Sequence, residues 1–204
     1  GDSYRRTVEL ISAGTIGPVR EVHVWSYKGY AGMDRPKETP PVPKHLHWDL
    51  WLGPAPYRPY HPCYCPGAWR RWWDFGSGTL GDMGCHLIDL PFWALNLQHP
   101  TTIEAEGPPV HPEGTPAWLI VRYEFPARED LPAVKFTWYD GKLIPREVAE
   151  VVMEESLPDA QSVGEASAPT DVPDPTKTLS PMSEYAPIST FESISAFGLT
   201  IAVG

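Results

Sequence analysis

The stretch FGSGTLGDMGCHLIDL, Phe75–Leu90, holds the residue types of this chain best suited to chemistry. Side chains three and four positions apart on a helix are neighbours, so Asp82, His86 and Asp89 would form one stripe. An aspartate four residues before a histidine can fix one imidazole nitrogen and leave the other free to exchange a proton with a ligand. Gly81 and Gly84 beside the stripe would leave room for a ligand against the backbone, and Asp82 in a first turn suits the positive end of a helix dipole. The plainer alternative is that Asp82 caps a helix and His86 is a satisfied interior histidine. Short motifs of this kind recur by chance.

The same stretch contains a formal G-x-G-x-x-G at Gly76, Gly78 and Gly81. That loop binds a dinucleotide when a buried apolar strand delivers it to a helix N-terminus within a βαβ repeat. Here the preceding residues are WRRWWDF, which do not make an apolar strand, and only strand-like runs follow. The nucleotide-loop reading is rejected. His61, Cys63 and Cys65 offer zinc-type ligands beside Asp82 and His86, but Cys-x-Cys is not the usual spacing and there is no second cysteine pair. No metal is expected, and the three cysteines make no disulfide framework.

A net charge of −10 and the lack of a basic cluster argue against a nucleic-acid partner. No apolar run of about 18 residues is present, so no membrane-spanning helix is expected. The 25 prolines imply long irregular connections, and the 9 tryptophans provide flat apolar faces of the kind that meet polar ligands. Trp25, Trp48, Trp72 and Trp73 are candidates for stacking on a ligand, each with core packing as the alternative.

The elements that must position these residues follow from local patterns. YRRTVELISAG predicts a helix stopped at Gly14. VREVHVWSYKGY predicts a strand covered on its Val22 and Val24 side. Residues 31–47 are too proline-rich for regular structure, and WDLWLG predicts one helical turn ended at Gly53. Residues 79–96 predict a helix whose Leu87, Leu90 and Ile88 face a sheet. The runs TTIEAEG, AWLIVRYEF and AVKFTWYD predict an antiparallel meander. The fold class is therefore α+β: an open, mostly antiparallel sheet with helices packed on one side. Residues 1–150 form that domain. Residues 151–204 hold one basic and eight acidic residues with scattered Pro, Ser and Thr, which predicts a poorly ordered acidic tail. Within or beside it, VAEVVMEE predicts a short helix and FESISAFGLTIAVG a strand.

GTIGPVREVHVW, WDLWLGPAP, YRPYHPCYCPGAWRRWWDFGSGTLGDMGCHLID and VRYEFPAR together resemble the C-terminal domain of the Gfo/Idh/MocA family of NAD(P)-dependent oxidoreductases, over about residues 1–142. The bacterial subgroup that often carries twin-arginine export signals is the nearest in look, which leaves cytoplasm and periplasm both open. The resemblance implies a separate Rossmann domain for NAD or NADP and a catalytic lysine in a Glu-Lys-Pro motif. That motif does not occur here, and the chain is expected to begin beyond it. It implies that His86 is the acid/base on a substrate hydroxyl with Asp82 beside it. Trp69 and Arg70 would lie near the cofactor; Asp89, from the helical stripe, and Trp72 and Trp73, as stacking candidates, are expected to contact the substrate. It implies a sugar or polyol substrate and a homo-oligomer formed through the sheet face. A glycosidase that uses NAD by transient oxidation and a non-catalytic binding or assembly module are the alternatives. Beyond WYDGKL the resemblance ends, where further strands would be expected to complete the sheet.

Overall fold

A computed structural model describes residues 1–32, 34–141 and 143, together with the backbone of Leu199–Val203. Helix α1 (Asp2–Ser12) buries Val8 and Ile11 and closes at Gly14, whose φ of 76° lets the chain turn back while Gly14 N–H donates to the Ile11 carbonyl at 2.9 Å. Strand β1 (Val19–Trp25) follows, then the short α2 (Trp48–Leu52), a 3₁₀ turn (Ala68–Arg71), α3 (Gly78–Leu87) and α4 (Asp89–Ala94). Strands β2 (Thr102–Glu106), β3 (Ile120–Phe125), β4 (Val134–Tyr139) and β5 (Leu199–Val203) complete the described elements.

The sheet order is β2-β3-β4-β1-β5. The predicted meander is present, with β2–β3 and β3–β4 antiparallel. Strand β1 pairs with β4 in parallel and with β5 antiparallel, so the sheet is mostly antiparallel. The register places Val22 opposite Phe136, Val24 opposite Trp138, Phe136 opposite Tyr123 and Trp138 opposite Val121. Because side chains alternate along a strand, these residues share one face. That face packs against α1, α3 and α4 in the main core, which includes Val8, Ile11, Ala94 and Leu97, with Leu87, Ile88 and Leu90 against it.

The expected single helix over 79–96 is two helices meeting at Ile88. Pro91 has no N–H to offer the Leu87 carbonyl, so the backbone ladder is interrupted there. Of the acidic segment, Leu199–Val203 is described, and FESISAFGLTIAVG supplies β5 from those residues. The VAEVVMEE helix lies outside the described residues.

The opposite sheet face is polar. His23 reaches Glu21 with Nε2 at 3.4 Å and Tyr139 with Nδ1 at 3.0 Å, and Arg122 pairs with Glu106 at 3.0 Å. The hydrogen bond from His23, with its charge and that of Lys135, holds the Glu21 carboxyl below its ordinary 4.5 against the opposing effect of burial. A depressed folded pKa means the unfolded chain takes up the proton first as pH falls. Glu21 therefore contributes stability that is complete above pH 4.5 and is lost as pH drops through the lower folded value. Urea denaturation of Glu21→Gln is expected to show a shallower acid limb than the parent chain below that pH.

A second cluster gathers the proline-rich connections. Trp48, Leu52, Tyr64 and Trp72 are buried together, with Trp51 and Phe75 packed against them. Trp48 Nε1 donates to the Arg58 carbonyl at 2.8 Å and Trp72 Nε1 to the Cys63 carbonyl at 3.2 Å, so each indole ties an irregular segment down by its polar edge. Trp72 also forms an isolated bridge with Gly114. Among the described residues no helix is long and apolar enough to cross a membrane.

Candidate active site

The residues that enter α3 set the site's position. The run ahead of it is a 3₁₀ turn and a loop, Trp72–Ser77, rather than a strand, so the glycine-rich stretch lacks the strand–loop–helix context of a nucleotide loop. Gly78 starts the helix with φ 70°, and a Cβ there would stand 2.9 Å from Thr115 Cβ. Gly78→Ala is expected to cost at least about 1–2 kcal/mol from the left-handed backbone alone, read as a lower Tm. The other two glycines do not open a ligand space as anticipated. A Cβ on Gly84 would meet Leu80 and Ile88 at 3.3 and 3.5 Å, and one on Gly81 would overlap the Ser77 side chain. Both are close-packing positions.

Because α3 begins at Gly78, Asp82 lies past its first turn, and the helix dipole is not what holds it. Arg70 does. Arg70 Nε donates to Asp82 Oδ1 at 2.6 Å, with 18% of the Asp82 side chain exposed. The Arg70 guanidinium lies 4.4 Å from the Trp69 ring centroid and 5.9 Å from that of Tyr30, so two aromatic faces orient it. Partial burial works to raise the Asp82 carboxyl, but hydrogen bonds from Arg70 and from the Tyr30 hydroxyl outweigh it and keep the group below its ordinary value. Burial, with Asp82's charge and hydrogen bond, pushes the Tyr30 phenol up, so Tyr30 stays a donor at neutral pH.

Tyr30 was not singled out by the sequence reading. It sits in the irregular chain after β1, and its backbone is tied to the site twice. Its N–H donates to Thr79 Oγ1 at 3.1 Å, and its carbonyl accepts from the Thr115 hydroxyl. Nothing in its sequence neighbourhood, SYKGYAG, marks it, because both anchors are distant in the chain. Tyr30→Phe is expected to raise the Asp82 carboxyl toward its ordinary value of 3.8, measured by carboxyl-carbon NMR through an acid titration.

The structure places His86 one turn beyond Asp82 on α3, exposed, without a side-chain hydrogen bond or ion pair among the described residues. Asp82 is thus oriented by Arg70 and Tyr30 and not by the imidazole. Asp89 falls in the next helix, where it accepts from the Tyr4 hydroxyl of α1 at 2.5 Å. Asp82 and His86 share α3; Asp89 is drawn toward α1. The tryptophans divide. Trp25, Trp48 and Trp72 are 2%, 5% and 0% exposed and present no free face to a ligand; Trp48 and Trp72 fill the aromatic cluster. Trp73 is 44% exposed and anchored by Nε1 to the His111 carbonyl at 2.9 Å. Trp69 lies half-buried beneath Arg70.

Among the described residues no three His, Cys, Asp or Glu side chains converge as a metal-ligand group. His61 Nδ1 is occupied by the Cys63 backbone N–H at 3.1 Å.

The fold is thus an α+β arrangement, a mostly antiparallel sheet backed by helices, with Arg70 paired to Asp82 on one of them. The model of the Gfo/Idh/MocA oxidoreductase family, C-terminal alpha/beta domain, matches residues 10–130, more than half of the chain, and the chain belongs to that family. A search of curated proteins finds no match. The family is one of oxidoreductases, commonly nicotinamide-dependent.

Proposed function

We propose that this chain is the substrate domain of an NAD(P)-dependent oxidoreductase acting on a sugar or polyol hydroxyl, with His86 as acid/base. The observation that carries the reading is the contrast within α3. One turn holds a carboxylate kept charged by Arg70 and Tyr30, and the next presents an exposed imidazole with no side-chain hydrogen bond or ion pair among the described residues. A ring nitrogen with no partner can take a proton from a hydroxyl in contact with it.

In the oxidising direction His86 accepts the hydroxyl proton as the carbonyl forms. Beyond the hydrogen bonds from Arg70 and Tyr30, the Asp82 carboxylate has lone-pair capacity to accept from a neighbouring hydroxyl and so to select vicinal diols. Arg70 keeps further donors on a plane fixed by Trp69, which suits a carboxamide or pyrophosphate oxygen, so the Trp69–Arg70 pair fits the edge of a nicotinamide cofactor. Bound there, the nicotinamide supplies the acceptor for the hydride leaving the carbinol carbon. The Glu-Lys-Pro motif does not occur in these 204 residues, and in this reading its lysine is supplied by a Rossmann domain. Asp89, held by Tyr4, and the partly open Trp73 remain outer substrate contacts in this reading.

A second reading has one observation in its favour. The sheet face away from the helices carries Glu21, His23, Arg122 and Glu106, a paired polar surface suited to a second copy of the chain. The two are compatible for the whole protein, and exclusive if the chemistry is gone. The deciding experiment joins the chain to a Rossmann domain bearing Glu-Lys-Pro and follows nicotinamide absorbance across a panel of aldoses, polyols and glycosides. Reduction with any of them supports the enzyme. Glycoside cleavage with no net reduction moves the assignment to a glycosidase, and dimerisation without either leaves the module.

A further inference from the structure

Beside the candidate active site lies a cleft of about 360 Å³ between α2 and the loop before α3. Trp51, Trp69 and Phe75 supply aromatic walls, Leu52, Pro54 and Ala55 the rest, and Asp74 the polar group. Its size falls near the lower end for small-molecule sites, roughly 300–1,000 Å³. We propose that this cleft is a subsite for a neutral saccharide ring adjacent to the reacting one, so that the substrate is a glycoside or disaccharide rather than a free polyol. The inference rests on the sugar-hydroxyl reading above and extends it.

The walls are preformed. Trp51 stacks on buried Trp48 at 4.8 Å between centroids and 12° between planes, and meets Phe75 edge-on at 4.9 Å. A ring entering the cleft therefore meets rigid aromatic faces, which attract the C–H face of a pyranose. Charge narrows the class further. Asp74 is the ionisable residue lining the cleft, and its carboxylate is already ion-paired with the buried Arg58 and stands 3.9 Å from Arg35. A cationic ligand finds its charge already compensated, and an anion meets a carboxylate on a chain of net charge −10. A neutral ring with hydroxyls at its edge uses both the apolar walls and the remaining acceptor capacity of Asp74. Trp69 joins the two places: it lines the cleft, and it carries Arg70, which holds Asp82.

The test uses the full 204-residue chain labelled with 5-fluorotryptophan and titrated with maltose, cellobiose and p-cresol while fluorine NMR is recorded. The expected result is saturable movement of the Trp51 and Trp69 signals with at least one disaccharide, while Trp93, exposed on α4 and beside Tyr4, stays still. Ala55→Phe fills the cleft without removing any core ring, and is expected to weaken that binding about tenfold or more. The proposal is overturned if neither disaccharide moves Trp51 and Trp69, if Trp93 moves equally, if p-cresol binds more tightly than both sugars, or if Ala55→Phe changes nothing. The sugar-oxidation reading fails separately, when the Rossmann-joined protein reduces no nicotinamide even though the cleft binds a disaccharide. A protein that oxidises sugars while its cleft stays silent sinks the subsite alone.

Discussion

Replacing His86 by Asn in the Rossmann-joined protein is expected to lower kcat about 10²–10⁴-fold with KM little changed, the range for losing a general acid/base. The structure makes this a test of chemistry and not of folding. His86 is exposed and makes no side-chain hydrogen bond or ion pair among the described residues, so its removal leaves no core partner stranded. Exposed substitutions of that sort stay within about 0.5 kcal/mol of neutral. The effect should therefore appear in kcat with Tm unchanged. Asp82→Asn would be harder to interpret, because it also takes the charge from Arg70 and the acceptor from Tyr30. A His86→Asn protein with full kcat would remove the imidazole from the mechanism.

The largest loss of stability is expected from Asp74→Ala, about 3 kcal/mol by urea denaturation, because breaking a buried ion pair leaves a charge without compensation. Arg58 is 2% exposed, its guanidinium lies 4.8 Å from the Phe75 ring centroid, and Asp74 is its carboxylate partner. Two of its nitrogens, Nε and Nη1, are already buried without an acceptor among the described residues. The figure sits at the low end of the buried-pair range because 30% of Asp74 is exposed and Glu113 stands 4.0 Å from Arg58 Nη2. The double variant Arg58→Leu with Asp74→Leu should recover much of the loss, since an apolar pair removes the stranded charge. A single variant as stable as the parent would show that Glu113 alone can hold Arg58.

What could be read from the sequence was local. The alternation in VREVHVW gave β1 and its buried Val22 and Val24, Gly14 and Gly53 gave two helix ends, and the three strand-like runs gave the meander. The long match from VHVW to HLID gave the family. Pairings made across the chain were not readable: the parallel β1–β4 ladder, and β5 beside β1, join residues more than a hundred positions apart. The same limit applies to the site. Asp82 and His86 were found from a helical spacing, but Tyr30 and Arg70 reach Asp82 through tertiary placement. Trp72 and Trp73 show the limit most plainly. Adjacent residues at a bridge point to opposite sides, and composition does not tell which is sealed in the aromatic core and which is half open.

The central claim is that a hydrogen leaves a sugar carbinol carbon for the nicotinamide while the hydroxyl proton goes to the protein. Its most direct measurement is isotope tracing in the Rossmann-joined protein, using a substrate deuterated at the reacting carbon and reading the recovered nicotinamide by proton NMR. The account predicts deuterium on the nicotinamide ring at the position that accepts hydride, one atom per carbonyl formed, with kcat slowed by the heavier isotope. Deuterium found in solvent, or retained on the sugar while product accumulates, would contradict it.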